Sequence, residues 1–484
     1  MYECPNCGGN LKFDIESQLL KCDYCLTTQN PYEITKDKDA EESNAFNVTI
    51  FTCPQCGGEI MSTDTSAAEF CSFCGASTIL NSRISNEKRP TRIIPFKQTK
   101  DACKKAYISR MKRALFAPDE LKEEKYIDSF RGIYMPYWAY HISQSGNVRL
   151  KGEKSYRNGD YLYNEEYRLT GDIDAYYHNL SYDASSSFSD NISQRIAPFD
   201  TRDMQEFTPS FLSGFYADTA DVDSGLYRNE ALKLANTTSF NKLKYNRAFT
   251  GMKISLETNN IFAMSQALCT TYNPPERVMY PVWFLSCRRG ERIAYATVNG
   301  QTGKVTADIP VDTKKYTIGS ALLAIPIFIL LNLFFTIKPT SLLGCSNLLA
   351  VGTVFLHLWE ITKIYHRDKR NDDQGYQFRQ EKNSPPGTES KKKSSSSIPF
   401  KELLAFSAFD EKHWLPGFIG SLIAVAVAAF IFNLNPVSDI WYYGGAIVSF
   451  FGILFTIVAI IKKYNVLATR KLPQFNRNGG NDNA

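Results

Sequence analysis

Histidine is scarce in this sequence, with five scattered through 484 residues. There is no H-E-x-x-H and no G-x-S-x-G. The nearest approach to a phosphate loop, "GQTGK" at Gly300–Lys304, has two residues between its glycines where that loop needs four, and a strand pattern follows it. No nucleophile, base or phosphate cradle emerges, and the expectation is that the chain is not an enzyme. Arginine is missing from residues 1–80, which hold four lysines against twelve Asp or Glu, a net charge of −8. Nucleic-acid affinity comes largely from cationic contacts to phosphate, so this segment is a poor nucleic-acid binder. The N-terminus lacks a basic start followed by an apolar region, and no signal peptide is expected.

What the N-terminal segment does have is cysteine. Cys4, Cys7, Cys22 and Cys25 form two C-x2-C pairs, and Cys53, Cys56, Cys71 and Cys74 repeat them 49 residues later. Two such knuckles on facing hairpins can enclose a tetrahedral Zn²⁺. Glycines after Cys7, Cys56 and Cys74 permit the backbone twist of a knuckle, whereas Leu26 follows Cys25. A disulfide framework, an iron–sulfur site and a redox pair are the alternatives. Reduced thiols in a cytosolic setting and the CPxCG pattern favour two structural Cys4 zinc sites, closed because four protein ligands leave no catalytic position. Each Zn²⁺ with four thiolates adds −2, taking residues 1–80 to about −12 and the chain from its formal +5 to about +1. Cys103, Cys269, Cys287 and Cys345 are isolated and are expected to be small buried hydrophobes.

Four apolar runs, 317–337, 341–359, 415–434 and 440–461, contain no Lys, Arg, Asp or Glu. Each is long enough to cross about 30 Å of hydrocarbon. Four runs without a buried Lys, Arg, Asp or Glu argue against a transport path. Links after the first and third runs hold one lysine between them. The loop after the second carries "HRDKR" and "SKKKSSSS", and the tail opens with "KKYNVLATRK". Basic segments stay on the cytoplasmic side, so a multi-pass cell-membrane protein with both termini cytoplasmic is expected. The second run is the weakest, because Asn347 and His357 lower its hydrophobicity. Asn332 and Asn347 are candidates for hydrogen bonds between helices.

Residues 83–116 hold eleven Lys or Arg against Glu87 and Asp101. Within them an amphipathic helix is expected, capped by Thr99 and stopped by Pro118, with Cys103, Tyr107, Met111 and Ala114 on one face. Its basic face is either solvated or laid against anionic headgroups. "YMPYWAYHI" and "MYPVWFLSC" share Pro, one residue, then Trp, 145 residues apart, and "RNGD" and "VNGQTGK" are hairpin signals. The repeated tryptophans read as core anchors. Residues 222–248 read as helix.

The expected organisation is therefore a first zinc ribbon at 1–30, an acidic linker at 31–50 and a second ribbon at 51–82. A mixed α+β cytosolic domain with antiparallel sheets fills 83–312. Transmembrane helices one and two occupy 317–359, a basic cytosolic loop 360–413, helices three and four 415–461, and a cytosolic tail 462–484.

With its cysteine knuckles, "APFDTRDMQEFTPSFLSGFYADTADVD" and "YPVWFLSCRRGERIAYATVNGQTGKV", the chain resembles a group of bacterial zinc-ribbon multi-pass membrane proteins. These are often labelled primosomal-helicase-like, and some belong to phage-shock-type envelope-stress gene sets alongside membrane-remodelling and SPFH-type partners. The resemblance covers most of residues 1–312, and only the cysteines are motif-specific. The closed Cys4 sites, the missing catalytic groups and the acidic cytosolic head lead to the expectation of a membrane-anchored adaptor or scaffold that recruits cytosolic or membrane proteins to the inner face of the bilayer, and the resemblance implies an envelope-stress setting. The alternative is a nucleic-acid-binding membrane protein that uses residues 83–116 and has no helicase motor.

Overall fold

The computed structural model describes residues 2–35, 45–62, 71, 73–74, 81–257, 263–289, 292–334, 337–369, 371–383, 400–410 and 413–471. The "SKKKSSSS" run, most of the acidic linker and the end of the tail lie outside them.

Strands β1 (Leu11–Asp14), β2 (Leu19–Cys22) and β3 (Thr28–Gln29) make a small antiparallel sheet around the first cysteine set. The second set lies among β4 (Ala45–Thr52), β5 (Glu59–Ser62) and β6 (Asn81–Lys88). After β7 (Arg92–Ile93) comes the expected helix, α1 (Lys100–Lys112). The Thr99 hydroxyl accepts from the Ala102 amide at its start, and Cys103, Tyr107 and Met111 are buried. Two very long strands follow, β8 (Arg131–Asn158) and β9 (Tyr161–Asp183). They are joined by a two-residue turn at Gly159–Asp160, after Asn158 pairs with Tyr161, and Gly159 takes the positive φ such hairpin turns need (61°). Next come α2 (Asp190–Ile196), β10 (Gln205–Glu206), β11 (Tyr216–Ala217), α3 (Arg228–Lys244) and β12 (Lys253–Leu256). The domain ends with β13 (Thr271–Arg289), β14 (Arg292–Asn299) and β15 (Val305–Ala307), the last two joined through the "VNGQTGK" turn.

One mixed sheet runs β10-β7-β13-β8-β11-β5-β4-β6. The two Pro-x-Trp motifs face each other in it: Pro136 pairs with Met279, and Pro281 with Tyr134, on antiparallel β8 and β13. Each indole N–H donates to a backbone carbonyl, Trp138 to Val222 (2.9 Å) and Trp283 to Gln98 (2.8 Å), so both tryptophans anchor the domain. Cys103 and Cys287 are buried as expected. Cys269 and Cys345 are exposed, because one follows a helix end in a left-handed conformation and the other faces outward from its helix.

The C-terminal helices are α4 (Thr313–Phe334), α5 (Pro339–Asp368), α6 (Gln374–Asn383), α7 (Ile419–Leu434) and α8 (Asp439–Leu467). Among the described residues, three helices are long and apolar enough to cross a membrane, α4, α5 and α8, in place of the four expected. Leu415 and Pro416 belong to a short strand, so α7 starts late and its 16 residues span only about 24 Å. α5, α7 and α8 pack together. Gly420 and Gly452 bring α7 and α8 so close that a Cβ on either would strike the other's carbonyl oxygen. The hydroxyls of Thr353, Ser421 and Thr456 join the three helices at 2.8 Å. Asn347 does not serve this purpose, since its Oδ1 has no partner. His357 is buried against Phe418 (5.8 Å).

Candidate metal centres

In each set the first knuckle closes the same way. The Gly8 amide donates to the Cys4 carbonyl and the Gly57 amide to the Cys53 carbonyl, both at 2.8 Å, with φ of 71° and 72°. The turn presents two sulfurs from one face. In the first set β1–β2 then brings up the second pair; in the second set the first knuckle lies between β4 and β5, and Cys71 and Cys74 follow β5.

Four sulfurs at about 2.3 Å from a tetrahedral zinc lie about 3.8 Å apart. Here Cys4 and Cys25 are 3.4 Å apart, Cys7 and Cys22 3.5 Å, and Cys53–Cys74 and Cys56–Cys71 3.7 Å each. Within each set all ligand atoms lie within 4.8 Å of one another, so both could hold a metal ion. The structure thus brings together all eight cysteines expected from the spacing. Their surroundings differ. Cys7 and Cys25 are exposed, and the Thr27 hydroxyl and amide hold the Cys25 thiol down at about 6. In the second set all four are buried with Phe51, Ile60 and Phe73.

The second knuckle of the first set carries a strained residue. Leu26 occupies the position of Gly8 and Gly57 and takes the same left-handed conformation (φ 61°), closing on the Cys22 carbonyl at 3.1 Å. A side chain there costs about 1–2 kcal/mol, while glycine loses about 0.5–1 kcal/mol more backbone entropy on folding. Leu26→Gly is therefore expected to stabilise this unit by about 0.5 kcal/mol, seen as slower loss of the first metal to a chelator and no change at the second. Faster loss would refute the strain.

Neither set is an appendage. The first sheet is docked by the Phe13 amide on the Ser213 carbonyl (3.0 Å), the Gln18 amide group on the Phe96 carbonyl (2.8 Å) and Phe13 against Phe211 (5.2 Å). The second is woven into the main sheet, where β5 pairs with β11 and β11 with β8. Arg288 also bonds Gln55 across this contact (2.9 Å).

A second cluster, not expected from the sequence, fixes the domain to the apolar helices. The buried carboxylate of Asp308 meets Arg195 (3.2 Å), Arg367 at the end of α5 (2.9 Å) and Arg470 after α8 (3.8 Å). Arg292 reaches Asp368 (3.2 Å) and the Val466 and Thr469 carbonyls (2.7 and 3.0 Å). Nearby, Phe116 beyond α1 packs on Tyr316 in the first turn of α4 (5.3 Å).

Much of the basic stretch at 83–116 is already engaged. Arg92 pairs with Glu276, Lys97 with Asp203 and Lys104 with Asp128. Arg110, Lys112 and Arg113 stay exposed.

The chain is 27% identical over 321 residues to "Uncharacterized protein YdjG" of Bacillus subtilis (strain 168), an alignment covering 65% of this chain and 91% of that protein. No family model matches the chain. No solved structure matches it either.

Proposed function

We propose that the protein is a membrane-anchored adaptor in which two structural zinc ribbons stiffen a cytosolic domain that holds a partner protein at the inner membrane face. The observation that supports this best is the placement of both closed four-cysteine sets: they are built into one domain, and that domain is clamped to apolar helices. A closed tetrathiolate site offers structure and no open coordination position. The first site also presents an exposed aromatic, Tyr24 (81% exposed), beside Leu26 at its tip. In an acidic setting this suits an aromatic anchor for a basic protein surface. The envelope-stress setting comes from the resemblance.

The full-length protein, extracted in mild detergent with its metals, is expected to carry a specific partner that dissociates above physiological salt, where the Debye length falls below about 8 Å. Tyr24→Ala should keep both metals and lose that partner. Nucleotide hydrolysis that tracks the pure protein would refute the non-enzyme reading. Salt-dependent DNA binding lost with Lys112 and Arg113 would favour the nucleic-acid alternative instead.

In this reading α7, with Leu415–Phe418 before it, completes a fourth crossing, and both termini are cytoplasmic. Arg110, Lys112 and Arg113 then meet anionic headgroups beside α4. A reporter active only outside the cytoplasm should be silent after Ala484 and active near Ser438. The reverse pattern would overturn the topology and expose the cysteines to oxidation.

A further inference from the structure

The middle domain carries a half-open cavity of about 390 Å³ between β8, β9, β13, α2 and α3. Its walls include Tyr137, Phe199, Tyr227 and Tyr280, with ring centroids of Tyr137–Tyr280 and Phe199–Tyr280 4.6 Å apart. Two carboxylates line it. Asp190 is held by the Tyr227 hydroxyl and by the Gln374 amide at the start of α6, both at 2.8 Å. Asp183 is different: it is 3% exposed, and its Oδ2 has no hydrogen-bond partner. Among the described residues that line the cavity there is no lysine or arginine.

A buried carboxylate with one oxygen unsatisfied, beside a second carboxylate and the Ser193 hydroxyl, is costly to charge and is relieved by a proton or by a bound cation. Burial, then the neighbouring Asp190 and Asp373, push Asp183 well above the usual carboxylate range. A bare metal ion is a poor match. Among the described residues, only the cysteine sets gather three or more ligand atoms tightly enough to hold one. Aromatic walls instead attract organic cations, and the volume is that of a small-molecule site.

We propose that this cavity binds a small alkylammonium ligand, its charge against Asp183 and its carbon body among Tyr137, Phe199 and Tyr280. The site is separate from both metal centres and does not depend on the adaptor reading. Leu234, 46% exposed, stands at the mouth.

The test is a thermal-shift titration of the full-length, metal-loaded protein in nanodiscs. The probes are choline, phenethylamine and agmatine, with 3,3-dimethylbutan-1-ol as the uncharged shape-mimic of choline. A saturable shift with at least one cation, and binding of the neutral mimic at least about tenfold weaker than choline, is expected. Asp183→Asn should weaken cation binding at least about tenfold. Leu234→Trp, which fills the mouth from an exposed position, should do the same and serves if Asp183→Asn does not fold. No saturable shift with any of the three cations, equal binding of the neutral mimic, or unchanged binding in both variants would overturn the proposal.

Discussion

Cys71→Ser is expected to release one of two metal equivalents and to unfold much more than its own knuckle. Cys71 is fully buried, and the four sulfurs of its set share a small core with Phe51, Ile60 and Phe73. That core sits at one end of the main sheet: β4 pairs with both β5 and β6, and β5 continues through β11 to the central β8. A structural zinc contributes about 10–16 kcal/mol of folding free energy, against a net stability of about 5–15 kcal/mol for a typical domain. Losing the second metal therefore removes as much as the whole margin, and the loss propagates along β11 and β8. Cys25→Ser makes the contrast. Its sulfur is exposed and its sheet is separate, so it should lose the first metal and leave the main sheet folded. Metal analysis should read near two for the natural chain and near one for both variants. Hydrogen exchange across 131–143 and 271–284 should rise only in Cys71→Ser. Equal protection in the two variants would show that the second unit folds independently of the domain.

Asp308→Asn is expected to detach the domain from its helices without touching either metal. Its carboxylate faces Arg195, Arg367 and Arg470, and the last two are less than a fifth exposed. Removing one partner from a buried ion group costs about 3–5 kcal/mol, because the remaining charge is left uncompensated. Arg195 is nearly half exposed and adds little. Asn465, which trades hydrogen bonds with both backbone groups of Val311 (2.7 and 2.8 Å), and Arg292 with Asp368 remain as weaker ties. The variant in nanodiscs should keep two metals, become open to protease between Asp308 and Lys315, and unfold in two separated steps. One cooperative transition at an unchanged midpoint would show that the clamp contributes nothing.

The features legible in the sequence are those written over short distances. The C-x2-C spacing named all eight sulfurs, because a knuckle is closed within six residues by one amide and one carbonyl. Thr99 could be read as a cap, Asn158–Gly159 and Asn299–Gly300 as turns, and Cys103, Tyr107 and Met111 as one face of a helix, since each depends on local dihedrals or helical periodicity. Leu26 broke the glycine pattern on paper, and the fold shows the price as a left-handed leucine. Apolar length marked the C-terminal helices but overestimated the third, where Pro416 and Gly417 delay the first turn.

By itself, then, the sequence determined the two four-cysteine sets, the turns and caps, and the greasy helices, all of them encoded by neighbours along the chain. Only the tertiary structure decided that the second cysteine unit is part of the main sheet, that Asp308 gathers three arginines from 195, 367 and 470, and that Asp183 lies in an aromatic cavity with one carboxylate oxygen unsatisfied. These depend on strand order and on contacts between residues tens to hundreds of positions apart. Periodicity and spacing carry no information about such pairings, because the free energy that selects them comes from burying shared surface once the elements have met.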